Sequence, residues 1–243
     1  MPSRPPVAVE GFASDYRAGE VIPLHAHAAH QIVHAVSGVM RVTARDGVWV
    51  VPPERGLWMP ARVRHEIRCV GAVRMRTVYL RGAHPAFPPT PRVTRVSPLM
   101  REIMVRLAEG AGARQRPHLA ALLVEEIVAL DVEPLRLPRP KDARVARLCA
   151  ALRDDPADAT TLQAWAGRLA LSRRTLIRRI RAEAGMSFRE LRRQARILAA
   201  LERLSLGGAV TAVAFDVGFD SPSAFIEAFR RVTGRTPGRY MKR

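Results

Sequence analysis

Two groups of side chains in this 243-residue chain have the type and spacing for specific recognition. Five of its seven histidines lie between residues 25 and 65. His25 and His27 stand at i and i+2, which on a strand aims both rings to one side, and Gln31, four residues on, keeps that parity. The second group is cationic. Over residues 173–184, read with helical periodicity, Leu176 and Ile180 fall on one face. Arg174, Ile177, Arg178 and Arg181 share the opposite face, with Arg173 at the start. A guanidinium can give two hydrogen bonds to guanine O6 and N7, worth roughly 1–3 kcal/mol of discrimination. For an isolated helix, a solvated basic face is the commoner explanation.

A duplication changes that balance. The run Ala166, Ser172, Leu176, Ile180, Gly185, Ser187-Phe188 recurs as Ala214, Ser221, Phe225, Phe229, Gly234, Thr236-Pro237. The offset is 49 from Ser172 to Ser221 and from Gly185 to Gly234, and 48 between the alanines. Each copy has the pattern of a helix-turn-helix: a small residue where two helices cross, then a serine N-cap opening the second helix. In the first copy Thr161 can cap Leu162–Leu169, and Ser172 can cap the helix from Arg173 to Ala184. In the second, Ser221 is the N-cap and Pro222 the first helical residue. Its outward positions are Pro222, Ser223, Ala224 and Glu227, with no positive charge in the first two turns. Between the copies, Ser187-Phe188-Arg189-Glu190 is a capping box for a helix of about 18 residues, roughly 27 Å long. That length can set two recognition helices into successive major grooves, roughly 34 Å apart.

The elements around these motifs fall into two parts. Residues 7–96 read as short strands (31–36, 39–43, 48–51, 73–80) with Asp46-Gly47 as a tight turn, a pattern of barrels and sandwiches. Residues 98–110 and 118–131 have helical periodicity. Residues 133–140 are proline-rich and read as an extended, semi-stiff spacer. Everything after Asp142 reads as helix and turn.

The formal charge is +18, shared as +10 over residues 142–243 and +8 over 1–141. Both parts are basic, and 38 of the 40 cations are arginine, so bulk charge is weaker evidence for nucleic acid than its placement. A hydrophobic share of 48% argues for folded cores. Cys69 and Cys149 lack metal-ligand or redox spacing, there is no apolar run near 18 residues, and the N-terminus is polar. A reduced cytoplasmic protein, not a membrane protein, is expected.

Residues 144–243 resemble the DNA-binding domain of AraC/XylS-family transcription regulators. The resemblance is carried by Val213-Ala214-Phe215-Asp216-Val217-Gly218-Phe219-Asp220-Ser221-Pro222-Ser223-Ala224-Phe225, then Phe229, Gly234, Thr236-Pro237 and Tyr240. Leu171-Ser172-Arg173-Arg174-Thr175-Leu176 and Gly185-Met186-Ser187-Phe188 match as well. The family's base-reading positions fall on Arg174, Ile177 and Arg178, and on Pro222, Ser223, Ala224 and Glu227. The full set expected at DNA adds Arg173, Arg181 and Ser221. Three departures stand out: Ala170 where a turn glycine is usual, Trp165 for a leucine, and Ala209 for a capping hydroxyl.

Gly19-x5-His25-x-His27-x3-Gln31-x6-Gly38 is similar to the first cupin motif, with Gln31 in the glutamate position. Pro60-x-Arg62-x2-His65 resembles the second, with Arg62 where glycine is usual. This resemblance implies a site of His25, His27, Gln31 and His65. It would hold either a divalent transition metal or a metal-free small-molecule effector, unless the histidines are only structural. No cofactor is required by the family.

The expected fold class is therefore two domains. Residues 1–96 are a cupin-like all-β barrel, 97–131 two dimerisation helices, 132–141 a proline-rich linker, and 142–243 an all-α domain with two helix-turn-helix motifs joined by a long helix. The alternative for the helices at 97–131 is packing on their own barrel alone. The implied function is an effector-responsive regulator, not an enzyme. Its partners would be a double-stranded operator, a small-molecule effector, RNA polymerase and a second copy of the chain. A cupin metalloenzyme and a non-specific architectural DNA binder are the competing readings.

Overall fold

The computed structural model describes residues 7–128, 132–133 and 135–241. It forms two compact units, one of Met1–Ala44 and Val51–Glu133, the other of Arg45–Val50 and Pro134–Arg243.

The first unit is sheet-rich. Its antiparallel order is β1 (Ala8–Tyr16), β6 (His65–Arg81), β3 (His30–Ala44), β5 (Arg55–Met59), β7 (Arg92–Arg95) and β8 (Val132–Glu133), with β2 (Val21–His25) also on β6. The two strands expected at 31–36 and 39–43 are one, running through Gly38 with its register shifted between Ala35 and Val39. A Cβ on Gly38 would lie 2.2 Å from the Ala72 carbonyl oxygen, so the bulge needs glycine there.

Helices α1 (Pro98–Glu109) and α2 (Arg116–Val128) follow where periodicity placed them; residues 129–131 of the expected second helix lie outside the described residues. Ser97 caps α1 through the Met100 N–H and donates its own hydrogen to Glu126 on α2. Met100, Ile103, Met104 and Leu107 of α1, with Ala120, Leu123 and Ile127 of α2, form one core with Ile32, Trp58, Val78 and Leu80. Both helices thus pack on their own sheet, while Leu99, Leu122 and Val128 remain exposed.

His34 on β3 is fully buried, its Nδ1 3.0 Å from the Arg55 carbonyl oxygen. Burial drives its pKa down to about 4, and the charge of Arg101 adds to this against the raising effect of that hydrogen bond. The folded chain therefore keeps His34 neutral while the unfolded chain protonates it near pH 6.5. Between those values the unfolded state binds more protons, so stability falls as the pH drops from 6.5 to 4, by up to about 3 kcal/mol from this residue. Urea unfolding at pH 7 and pH 5 should show a smaller loss for His34→Gln than for the parent chain. Equal losses would mean that other groups carry the acid sensitivity.

The second unit corrects the expected linker. Within 132–141, Arg136–Pro138 form strand β9, antiparallel to β4 (Gly47–Val51), with Gly47 opposite Pro138, Val48 opposite Leu137 and Trp49 opposite Arg136. The Arg139 N–H donates to the Asp46 carbonyl. Leu135 and Leu137 are buried, a strand alternation obscured by the surrounding prolines. This segment is extended, as expected, but it is paired and not a free spacer.

Seven helices follow: α3 (Ala143–Asp154), α4 (Leu162–Arg168), α5 (Arg173–Ala184), α6 (Phe188–Ser205), α7 (Val210–Asp216), α8 (Pro222–Thr233) and α9 (Pro237–Met241). Asp142, Thr161, Ser172 and Ser221 cap α3, α4, α5 and α8 through backbone N–H groups. Ser187 and Glu190 form the capping box of α6. Ala209, lacking a hydroxyl, makes no side-chain cap at α7. Ala166 and Ala214 are buried at the two helix crossings, and Trp165 is buried in its leucine position.

Candidate nucleic-acid interface and effector site

The recognition helix α5 presents the two faces that its periodicity requires. Leu176 and Ile180 are buried, while Arg173, Arg174, Arg178 and Arg181 are exposed and Ile177 is 40% exposed. Arg173, Arg174 and Arg178 carry no hydrogen bond or ion pair among the described residues. Arg179, the next residue after Arg178, points elsewhere and pairs with Asp142, the N-cap of α3. Glu183, also on α5, accepts from the backbone N–H groups of Lys141 (2.7 Å) and Asp142 (3.2 Å). The recognition helix is therefore anchored to the residues that lead out of β9.

On α8, Ser223, Ala224 and Glu227 are exposed, and Ser221 and Pro222 are partly buried at the cap. Glu227 accepts from Arg231 one turn on, at 2.7 Å, which offsets the negative charge that its sequence position presents to a phosphate backbone. Two arginines that sequence reasoning did not single out brace the two motifs. Arg196 on α6 donates to the Pro156 carbonyl at 3.1 Å and lies over the Phe219 ring, 5.5 Å from its centroid. Arg192 donates to the Thr160 carbonyl. Neither was legible as anything but a charged helix face, because their partners lie 40 and 32 residues away.

Among the described residues, Ala170 and Arg62 are the non-glycine residues with positive φ, at 50° and 65°. Both stand where the resembling motifs have glycine. Gly218, the second copy's counterpart of Ala170, takes φ of 88°. A left-handed alanine costs roughly 1–2 kcal/mol, against roughly 0.5–1 kcal/mol of extra unfolded-state entropy for glycine. Ala170→Gly should therefore raise stability by about 0.5–1 kcal/mol, seen as a higher calorimetric midpoint. A fall would show that the turn tolerates alanine without strain.

In the first unit the structure brings three of the expected histidines together, but not by strand parity. Strand β2 ends at His25, His27 lies in the connection, and Gln31 belongs to β3. His65, opening β6, is in register with His25. The ligand nitrogens of His25, His27 and His65 lie within 4.8 Å of one another. Nδ1 of His25 is 2.6 Å from the Pro23 carbonyl oxygen, and Nδ1 of His65 is 3.0 Å from that of Val63. A carbonyl only accepts, so both Nδ1 atoms carry the hydrogen, and in the neutral imidazole form that leaves Nε2 with the lone pair. Burial pushes His65 down to about 4, helped by the neighbouring rings of His25 and His27. Burial and His25 also lower His27.

Gln31 joins this cluster through a tyrosine. Its Nε2 donates to Thr77 Oγ1 at 3.0 Å and to the Tyr79 hydroxyl at 3.2 Å, and that hydroxyl is 3.5 Å from His27 Nε2. Tyr79 carried no signal in the sequence motifs. The other histidines stand apart. His34 is the buried residue already described. His30 stacks on Trp58 with ring centroids 5.1 Å apart and accepts from the Ala61 N–H.

The comparisons agree with this organisation. Residues 6–127 match the family model for the AraC-like ligand binding domain, and residues 165–243 match that for a helix-turn-helix domain. The HTH-type transcriptional regulator NimR of Escherichia coli (strain K12) is 32% identical over 225 residues, covering 91% of this chain and 82% of NimR. The HTH-type transcriptional activator RhaS of Escherichia fergusonii is 31% identical over 143 residues, covering 57% of this chain and 51% of RhaS. The solved structure of ToxT from Vibrio cholerae aligns over 96% of this chain and 97% of its own, at 10% identity and a TM-score of 0.41. A sheet-rich ligand-binding part thus precedes a helical DNA-binding part, and this chain belongs to the AraC family of DNA-binding transcriptional regulators.

Proposed function

We propose that the chain reads an operator with α5 and α8 in successive major grooves, under control of an effector held in the first unit. The observation that carries this reading is the unpaired guanidinium row of Arg173, Arg174 and Arg178 on the exposed face of α5, extended by Arg181. Among the described residues Arg173, Arg174 and Arg178 have no hydrogen-bond or ion-pair partner, while Arg179 on the same helix is paired. Helix α6, at 18 residues, spans roughly 27 Å between the two motifs. Ile177 and the Ser221, Pro222, Ser223, Ala224 and Glu227 set offer apolar and short polar contacts, suited to thymine methyls and a cytosine amine.

The domain assignment follows from the same reading: 1–96 binds the effector as a cupin-like barrel, 97–131 is the dimerisation segment, and 142–243 binds DNA. Leu99, Leu122 and Val128, exposed on α1 and α2, support a homodimer, which would present four recognition helices to a repeated or palindromic operator. RNA polymerase is the partner of such a regulator at a promoter, and the cytoplasm its place. Among the described residues no helix is long and apolar enough to cross a membrane.

Footprinting on genomic fragments tests the reading. Two protected patches about one helical turn apart are expected in each half-site. Equal affinity for cognate and random duplexes would instead indicate non-specific binding. Arg181→Ala should weaken binding uniformly across sequences and reduce the salt slope by about one if it holds a phosphate. An unchanged slope would remove Arg181 from the interface.

A further inference from the structure

The histidine cluster of the first unit has features that a merely structural trio does not require. His65 is fully buried, yet its Nε2 has no hydrogen-bond partner. The Pro23 and Val63 carbonyls select the tautomer of the neutral rings that carries the Nε2 lone pair on His25 and His65. The rings are close, with centroids 4.4 Å apart for His25–His65, 4.7 Å for His25–His27 and 5.7 Å for His27–His65. Three imidazole nitrogens within 4.8 Å, two of them oriented by backbone acceptors, form the ligand set of a borderline divalent ion such as zinc, cobalt or nickel. Magnesium and calcium, which ask for oxygen ligands, do not fit.

Gln31 supplies a second buried atom without a partner. Thr77 gives its hydroxyl hydrogen to the Ile32 carbonyl, so it can only accept from Gln31, and this orients the carboxamide. The Gln31 Oε1 that remains is buried and unpaired. A glutamate at this place would put a negative charge one tyrosine hydroxyl away from His27.

At the strand position opposite His65 the chain passes from the first unit into the second. His65 is in register with Ala44 on β3. The next residues, Arg45–Asp46, make the turn into β4, which pairs with β9. Three residues past β9, Lys141 and Asp142 are tied to α5 through Glu183 and Arg179.

We propose that the signal sensed by the first unit is a divalent transition-metal ion bound by His25, His27 and His65, and that its occupancy changes operator affinity. This rests on the regulator reading above and names its effector. The ion draws β2 and β6 together through His25 and His65.

The test uses the full-length chain without an affinity tag, stripped with a chelator. Its operator affinity is measured both metal-free and with saturating ion, so a failure of the regulator reading appears as no cognate binding in either state. Titration with zinc, cobalt and nickel by calorimetry, and with cobalt by visible absorption, should show one ion per chain. His25→Ala and His27→Ala, at half-buried positions, should each weaken binding at least tenfold. Gln31→Glu should tighten it, and magnesium and calcium should not compete. Operator affinity with saturating ion should differ at least fivefold from the metal-free value, with reciprocal tightening or weakening of the ion by operator DNA. Absence of stoichiometric binding, or binding indifferent to both histidine substitutions, overturns the site. Stoichiometric binding with unchanged operator affinity overturns its role as the signal.

Discussion

Arg174→Ala and Arg178→Ala should each weaken binding to the cognate operator by about 1–3 kcal/mol, and the pair together should reduce it to the level of random DNA. Each loss corresponds to roughly 5- to 150-fold in dissociation constant. Among the described residues neither side chain has a hydrogen-bond or ion-pair partner, and both are exposed, so fold stability should change by less than about 0.5 kcal/mol. The two residues are one turn apart, and their effects need not add. Fluorescence anisotropy on cognate and scrambled duplexes separates the two roles that a guanidinium can play. A selective loss on the cognate site marks base reading. A uniform loss on every duplex would assign both arginines to phosphates and leave discrimination to Ile177 and α8. Arg179→Ala is the matched control, since its charge is already committed to Asp142.

Phe225→Ala carries the largest expected cost in stability. The ring is fully buried, edge-on to Phe219 at 5.4 Å and to Phe229 at 5.6 Å, and Phe229 in turn meets Tyr240 at 5.4 Å. Removing a buried phenyl group costs about 3–5 kcal/mol, a large part of the roughly 5–15 kcal/mol that holds a domain together. Because these rings join α8 to α9, hydrogen exchange should lose protection over 222–241 first, while α1 and α2 keep theirs. The operator footprint should shrink to the patch read by α5. An unchanged thermal midpoint would mean that the aromatic cluster contributes no net stability to the second motif.

The DNA-binding half was legible because its signals are short-range. A serine cap acts over three residues, helical periodicity over four, and a turn over two, so each copy could be read locally and then checked against the other. The same locality explains why Leu176 and Ile180 could be separated from Arg174 and Arg178 before any partner was known. It also explains the limits. Arginines 174 and 179 are chemically identical and five residues apart on one helix. Only the approach of Asp142 from 37 residues away commits one of them and leaves the other free.

The histidine site shows the division most clearly. Spacing drew attention to His25, His27 and Gln31, and the cupin resemblance added His65, yet the assumed single strand does not exist. The chain breaks at His25, and the cluster forms because β2 pairs with β6 and brings His65 opposite His25. The carbonyls that orient the rings, and Tyr79, are contributed by segments with no motif of their own. Likewise Leu135 and Leu137 were hidden among prolines until strand β4 lay beside them. Sequence alone determined the helices of the second unit and their apolar faces, because those preferences act within a turn or two of the chain, whereas strands such as β2 and β9 were not marked out. Tertiary structure decided which polar groups are paired and which are left for a ligand, because that depends on partners brought together across tens of residues by burial of the core.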